Sequence, residues 1–67
     1  MAKIQLNGKK LKIQTNLSIK DLIKKYRLEE NKIAIELNGT ILLKNLYKNK
    51  KIKENDKIEI VQFIGGG

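Results

Sequence analysis

The side chains that commonly do chemistry in proteins are scarce in this chain. There is no histidine and no cysteine, so zinc-type metal sites and Ser-His or Cys-His nucleophiles are excluded. The seven acidic residues show no obvious pairing for general acid–base catalysis. No glycine loop has the spacing of a P-loop. We therefore expect a protein that is not an enzyme, with no catalytic residue, no metal and no cofactor of its own.

One reactive group remains, the carboxylate that follows the glycine run Gly65, Gly66 and Gly67. Glycine has no side chain and wide φ/ψ freedom, so such a run can enter a narrow cleft in another protein. The carboxylate of Gly67 is not shielded by a Cβ atom, and a partner could activate it as an acyl-adenylate and convert it to a thiocarboxylate. Composition alone favours a frayed end or a linker remnant. The position of the glycines, directly after the last predicted strand, weakens that alternative.

The length and net charge of the chain further limit the functions it could have. Sixty-seven residues suffice for a single compact core. The net charge of +8 invites a nucleic-acid interpretation, but the lysines are spread along the chain and three aromatic residues offer little base stacking. A solvated charged surface, including the basic run 48–53, is the favoured interpretation. No apolar run approaches the ~20 residues of a membrane span. We expect a cytoplasmic protein that is monomeric when free and binds neither membrane nor nucleic acid.

The first half of the chain predicts a hairpin followed by a helix. Residues 2–14 alternate around Asn7-Gly8, the strongest short signal for a type I′ turn, with one apolar face formed by Ile4, Leu6, Leu11 and Ile13. The period then changes from two to 3.6, which predicts a helix to about Leu28. Its apolar stripe is Ile19, Leu22, Ile23 and Tyr26. Ser18 is the expected N-cap, with Asp21 near the positive end of the helix dipole and Leu17 placed to form a hydrophobic staple with Leu22.

The second half predicts further strands and a short helical turn. Residues 33–38 alternate again, and Asn38-Gly39 leads into a short return strand, Thr40 to Leu43. Leu46 and Tyr47 are expected to anchor a helical turn. Asn55-Asp56 is a further turn signal before the last strand.

The last strand, Lys57 to Phe63, is partly apolar on both faces. Ile58 and Ile60 lie on one face, and Val61 and Phe63 lie on the other. Such a strand is usually central in its sheet or keeps one face for a partner.

One helix between two groups of strands can cover only one face of a sheet, which predicts a two-layer α+β domain. We expect this domain to occupy residues 1–64, with a flexible glycine tail at 65–67.

These features resemble the thiamine-biosynthesis sulfur carriers. The segment 58–67 is similar to the end of those proteins in its alternating apolar strand, the apolar pair around Phe63 and the terminal glycine run. The similarity extends over the whole chain, through the strand that leads into Asn7-Gly8, the single helix, the strand and turn at 34–39, and the Asn55-Asp56 turn. The resemblance implies a β-grasp (ubiquitin-like) fold with a mixed sheet packed on one main helix.

The resemblance also implies a chemistry and a set of partners. An ATP-dependent adenylating enzyme would form an acyl-adenylate on Gly67. Sulfur delivered through a cysteine desulfurase would convert it to a thiocarboxylate, and thiazole synthase would receive that sulfur for the thiazole ring of thiamine. Gly65 and Gly66 would thread the partner's channel, and Val61 and Phe63 would help to dock the sheet face.

Three alternatives remain open on the sequence. The small subunit of molybdenum-cofactor synthase shares the fold and the glycine ending. A ubiquitin-like modifier would be joined through Gly67 to lysines of other proteins, since fold alone does not fix function. A basic nucleic-acid-binding module is the most remote alternative.

Overall fold

The computed structural model describes residues 1–63, which form a five-stranded mixed sheet and one α-helix. The strands are β1 (Ala2–Leu6), β2 (Lys9–Ile13), β3 (Ile33–Leu37), β4 (Thr40–Ile41) and β5 (Lys57–Gln62), and the helix is α1 (Ile19–Lys25). The strand order is β2-β1-β5-β3-β4. Strands β1 and β5 are parallel, and the other neighbouring pairs are antiparallel. The predicted boundary after residue 64 and the glycine tail lie outside the described residues.

The first hairpin has the predicted register. Ile4 pairs with Leu11 and Leu6 pairs with Lys9, and Asn7 and Gly8 both have positive φ, at 49° and 83°. These are the left-handed conformations that a type I′ turn requires. The second turn repeats this chemistry, with φ of 52° at Asn38 and 86° at Gly39.

Helix α1 begins at the predicted cap and ends earlier than predicted. Ser18 and Asp21 form a capping box, with the Asp21 N–H donating to Ser18 Oγ (3.1 Å) and the Ser18 N–H donating to Asp21 Oδ2 (3.0 Å). The predicted end near Leu28 is wrong, because Arg27 takes a left-handed conformation with φ of 56°. The Arg27 N–H bonds the Lys24 carbonyl and the Leu28 N–H bonds the Ile23 carbonyl, which is the Schellman arrangement that closes a helix.

That early end changes the predicted apolar stripe. Ile19, Leu22 and Ile23 are buried, whereas Tyr26 is the C-cap and is 43% exposed. Tyr26 was therefore wrongly predicted as a core residue. The side chains of the stripe face a core shared with the sheet, whose buried apolar residues are Ala2, Ile4, Ile13, Ile19, Leu22, Ile23, Ile33, Ile35, Leu37, Tyr47, Ile52 and Ile58.

The connection between β4 and β5 contains two further corrections. Strand β4 ends at Ile41 and not at Leu43, and a 3₁₀ turn follows at Lys44–Leu46. The predicted anchoring by Tyr47 is confirmed, since Tyr47 is buried and burial raises the pKa of its phenol. Leu46 is 45% exposed and is not an anchor. A second 3₁₀ turn, at Glu30–Lys32, precedes β3.

Within residues 1–63, no helix has both the length and the apolar character needed to cross a membrane.

Candidate functional site

Strand β5 is the element that leads toward the glycine run, and it lies at the centre of the sheet. On one side it pairs with β3 over five residue pairs, from Ile33↔Gln62 to Leu37↔Ile58. On the other side it pairs with β1 only through Gln5↔Lys57 and Leu6↔Ile58. The strand ends at Gln62, one residue before the predicted end at Phe63, although the Phe63 N–H still donates to the Lys32 carbonyl (2.8 Å).

Two asparagine side chains hold β5 where its backbone pairing with β1 and β3 stops. The Asn7 side chain accepts a hydrogen bond from the Ile60 N–H (2.7 Å) and donates to the Ile60 carbonyl (3.3 Å). The Asn38 side chain accepts from the Lys57 N–H (2.8 Å) and donates to Asp56 Oδ1 (3.0 Å). Sequence reasoning found both asparagines as turn residues but missed these bonds, because no local signal indicates which distant strand an exposed side chain will meet.

The two faces of β5 differ in burial. Ile58 is fully buried and Ile60 packs partly buried against the core. Val61 and Phe63, the residues predicted to dock a partner, are 59% and 61% exposed. Gly65, Gly66 and Gly67, the residues predicted to thread the partner's channel and to carry the modification, lie outside the described residues.

The sheet face that carries Val61, opposite the core, is called the open face here. It has an apolar patch, formed by Ala34 on β3, Ile41 on β4 and Val61 on β5. Ala34 pairs with Val61, and Ile41 pairs with Glu36, so these residues share one face. Ile41 is 67% exposed.

The other half of the open face is basic. Strands β2, β1 and β5 contribute Lys10, Lys12, Lys3 and Lys57, which we call the basic patch. All four lysines are exposed.

The side chains of the described residues do not form a recognisable catalytic or metal-binding group. Every buried side-chain nitrogen or oxygen in residues 1–63 has a hydrogen-bond partner, and no group of acidic residues in this range could hold a metal ion. What the described surface offers is an open sheet face beside a strand that leads directly toward glycines. A single helix packed on one side of a mixed sheet of this order, with an exposed opposite face, defines a small ubiquitin-like (β-grasp) protein.

The family follows from sequence comparison. The sequence model of the ThiS family matches residues 3–67, so nearly all of this chain belongs to the ThiS family. The sulfur carrier protein ThiS of Bacillus subtilis (strain 168) is 40% identical over 65 residues, which cover 96% of this chain and 98% of that protein. The resemblance to the thiamine-biosynthesis sulfur carriers, inferred from segment 58–67 and from the pattern along the whole chain, is thus confirmed.

A solved structure and a larger relative extend the comparison. The crystal structure of a thiamine biosynthesis protein (ThiS) from Geobacter metallireducens superposes with a TM-score of 0.82 at 25% identity, covering 97% of this chain and 99% of that one, and confirms the predicted β-grasp fold. A thiazole synthase of Paramagnetospirillum magneticum is 32% identical over 65 residues, which cover 97% of this chain and 20% of that protein.

Proposed function

We propose that this protein is the sulfur carrier of thiamine biosynthesis and acts as a cosubstrate of its partner enzymes. The observation that carries the proposal is the family match, which extends through residue 67 and so includes the glycine run. With no histidine or cysteine in the chain, the Gly67 carboxylate is the group best suited to accept and hold sulfur.

The chemistry proceeds in two substitutions. A carboxylate oxygen of Gly67 attacks the α-phosphorus of ATP on an adenylating enzyme, and pyrophosphate leaves. Hydrosulfide, released by a thiol reductant from the persulfide that a cysteine desulfurase forms, then attacks the acyl carbon and displaces AMP, and loss of its proton leaves a thiocarboxylate. Adenylation is needed because a free carboxylate is a poor electrophile. We place both steps in the cytoplasm.

Thiazole synthase is the proposed acceptor of the sulfur. The relative from Paramagnetospirillum magneticum supports this, because a region similar to this chain forms one fifth of a protein named thiazole synthase. A carrier domain within the same polypeptide as a synthase is expected if the two proteins must meet to transfer sulfur.

We assign docking to Val61, near the end of β5, and to Phe63, which directly follows the strand. Val61 and Phe63 present large apolar side chains to solvent. Binding of a partner that covers these side chains is favourable, because it removes apolar surface from water. Gly65 and Gly66 would cross the partner's narrow entrance, where a Cβ atom would be obstructive.

The decisive experiment changes the position of the terminal carboxylate. Deleting Gly67 shortens the reach by at most about 3.6 Å, and a displacement of even ~1 Å can lower a reaction rate ~100-fold. We expect the shortened protein to fold normally and to form thiocarboxylate at less than about 1% of the wild-type rate. A variant with one residue appended after Gly67 should fail as well.

The readout is intact mass after incubation with the adenylating enzyme, ATP and a sulfur source. Replacement of one oxygen by sulfur in the wild type supports the carrier function. Larger adducts on other proteins would instead indicate a protein modifier. Thiolation of both altered proteins at the wild-type rate would contradict the proposal.

A further inference from the structure

The open face carries two pairs of like charges, of opposite sign. Lys3 on β1 lies directly opposite Lys12 on β2. Glu36 on β3 lies directly opposite Glu59 on β5. All four side chains are exposed. The sheet order separates the pairs, with the lysine pair on β1 and β2 and the glutamate pair on β5 and β3.

Each pair, taken by itself, lowers the stability of the fold. Like charges directly opposite each other on neighbouring strands are destabilising. Two ion pairs occur within residues 1–63, Lys20–Glu30 and Lys32–Glu29, and neither includes these four residues. The Glu54 carboxylate reaches Lys3, but its hydrogen bond is with the backbone N–H (2.9 Å). The described fold therefore does not compensate either pair with a salt bridge.

Protection of a sheet edge explains only part of the basic patch. Lysines on edge strands discourage pairing with other chains, which accounts for Lys10 and Lys12 on β2. Lys3 and Lys57 lie on the inner strands β1 and β5, where no edge needs protection. The same reasoning leaves the inner glutamate pair unexplained.

We propose that the two pairs orient a protein partner on the open face, with its carboxylates over Lys3 and Lys12 and its basic groups over Glu36 and Glu59. This inference rests on the proposed function, in which the partner is the adenylating enzyme. The apolar patch is continuous with the glutamate pair, since Ile41 is paired with Glu36. A positive pair and a negative pair on one face match a complementary surface in one orientation, and complementary charges increase the association rate.

The charges also distinguish this partner from two other occupants. A nucleic acid would find lysines but no aromatic ring in the basic patch for base stacking, and the glutamate pair would repel its phosphates. A second copy of this chain could place each lysine pair over a glutamate pair, but a net charge of +8 on each copy opposes self-association. A different protein with an acidic surface meets neither obstacle.

The test uses paired substitutions with a matched control. Lys3→Gln with Lys12→Gln removes the positive pair, and Glu36→Gln with Glu59→Gln removes the negative pair. Lys48→Gln with Lys50→Gln is the control, because it removes as much positive charge as the first variant from an exposed loop beyond the sheet. Each variant is mixed with the purified adenylating enzyme in a stopped-flow instrument between about 20 and 500 mM NaCl, which spans strong to weak screening.

We expect the lysine-pair variant to associate about tenfold more slowly than wild type at low salt, with a flatter salt dependence, and the control to change less than twofold. The glutamate-pair variant should bind but dissociate faster. Its lysine pair still attracts the partner, but the contacts of Glu36 and Glu59 that would orient the bound partner are lost. The lysine-pair and glutamate-pair variants, which we call the two sheet variants, should melt at or above the wild-type temperature because each loses a repulsion between like charges. Pyrophosphate release with wild type reports adenylation separately, so its absence would overturn the proposed function and not this inference.

Three results would overturn the inference. The first is equal association rates for the lysine-pair variant and the control. The second is a wild-type dimer in sedimentation at low salt that both sheet variants disrupt. The third is tight binding of a fluorescent single-stranded oligonucleotide that requires Lys3 and Lys12 while association with the enzyme is unchanged.

Discussion

Both faces of β5 carry apolar residues, yet only those on one face contribute to the core. Ile58 on the inner face is fully buried in the core, whereas Val61 on the open face is 59% exposed. Both residues lie in the same strand and pair with β3, and Ile58 also pairs with Leu6 of β1. Alternation along the strand puts the two side chains on opposite faces, and the core cluster, which includes residues of α1 and of the connection between β4 and β5, lies on the Ile58 face only.

The comparison shows how a very small domain can combine a stable core with a binding surface. With one helix, the chain can cover one face of its sheet, and the second face stays available to a partner. Apolar residues on the inner face contribute to folding because they leave water when the chain folds. Apolar residues on the open face leave water only if a partner covers them.

The strongest test of this comparison is truncation on the inner face. Ile58→Ala and Leu22→Ala, which remove buried side chains from the sheet and from the helix, should each lower the free energy of unfolding by roughly 2–5 kcal/mol. Val61→Ala is the matched control on the open face and should change it by less than about 0.5 kcal/mol. Urea unfolding measures all three. Similar losses for Ile58→Ala and Val61→Ala would show that both faces are covered.

A second test removes the exposed apolar side chain of Phe63, the residue that directly follows β5. Phe63→Ala should leave the melting temperature almost unchanged, because Phe63 is 61% exposed. Its affinity for the adenylating enzyme should fall about tenfold, the effect of about 1.4 kcal/mol. Calorimetric titration measures the affinity. Equal affinities of wild type and variant would contradict the docking assigned to Phe63.

A third test concerns the asparagine side chains that form hydrogen bonds to β5. Asn7→Gly keeps a residue that tolerates positive φ but removes two hydrogen bonds to Ile60, and should cost about 1 kcal/mol. Asn16→Gly is the control at another asparagine with positive φ, 68°. Amide hydrogen exchange should accelerate at Ile60 in the first variant.

The corresponding change at the other turn sharpens the result. Asn38→Gly should accelerate exchange at Lys57, whose N–H donates to the Asn38 side chain. Exchange that accelerates equally at both positions in both variants would mean that the asparagines support the sheet generally and do not hold separate points of β5.

The smallest expected effect concerns the cap of the covering helix. Hydrogen bonding with Ser18, first of all from its backbone N–H to Asp21 Oδ2 and then with its side chain, holds the pKa of Asp21 below its ordinary value of 3.8. A lowered pKa in the folded state means that the ionised carboxylate stabilises the fold above about pH 4, and that this stabilisation is lost as the pH falls further. Asp21→Asn should therefore melt below wild type at pH 7, and the difference should shrink toward pH 3. A difference independent of pH would exclude ionisation as its cause.

Local sequence determined much of this protein. The Asn-Gly turns, the capping serine and the alternation in the strands each depend on residues a few positions apart, so the hairpin register and the start of the helix were predictable. The exposure of Val61 followed from the same period of two. The end of the helix was not predictable, because Arg27 is a non-glycine residue in a left-handed conformation and has no strong signal in the sequence.

Only the tertiary structure decided which strands became neighbours. Placing β5 between β1 and β3 brought Ile60 to the side chain of Asn7, 53 residues away in sequence, and set Glu59 opposite Glu36. No periodicity records such contacts, since they depend on how separate elements pack around a common core. The sequence by itself determined the elements and the faces they present, and the packing of those elements determined which charges and hydrogen-bonding groups meet on the open face.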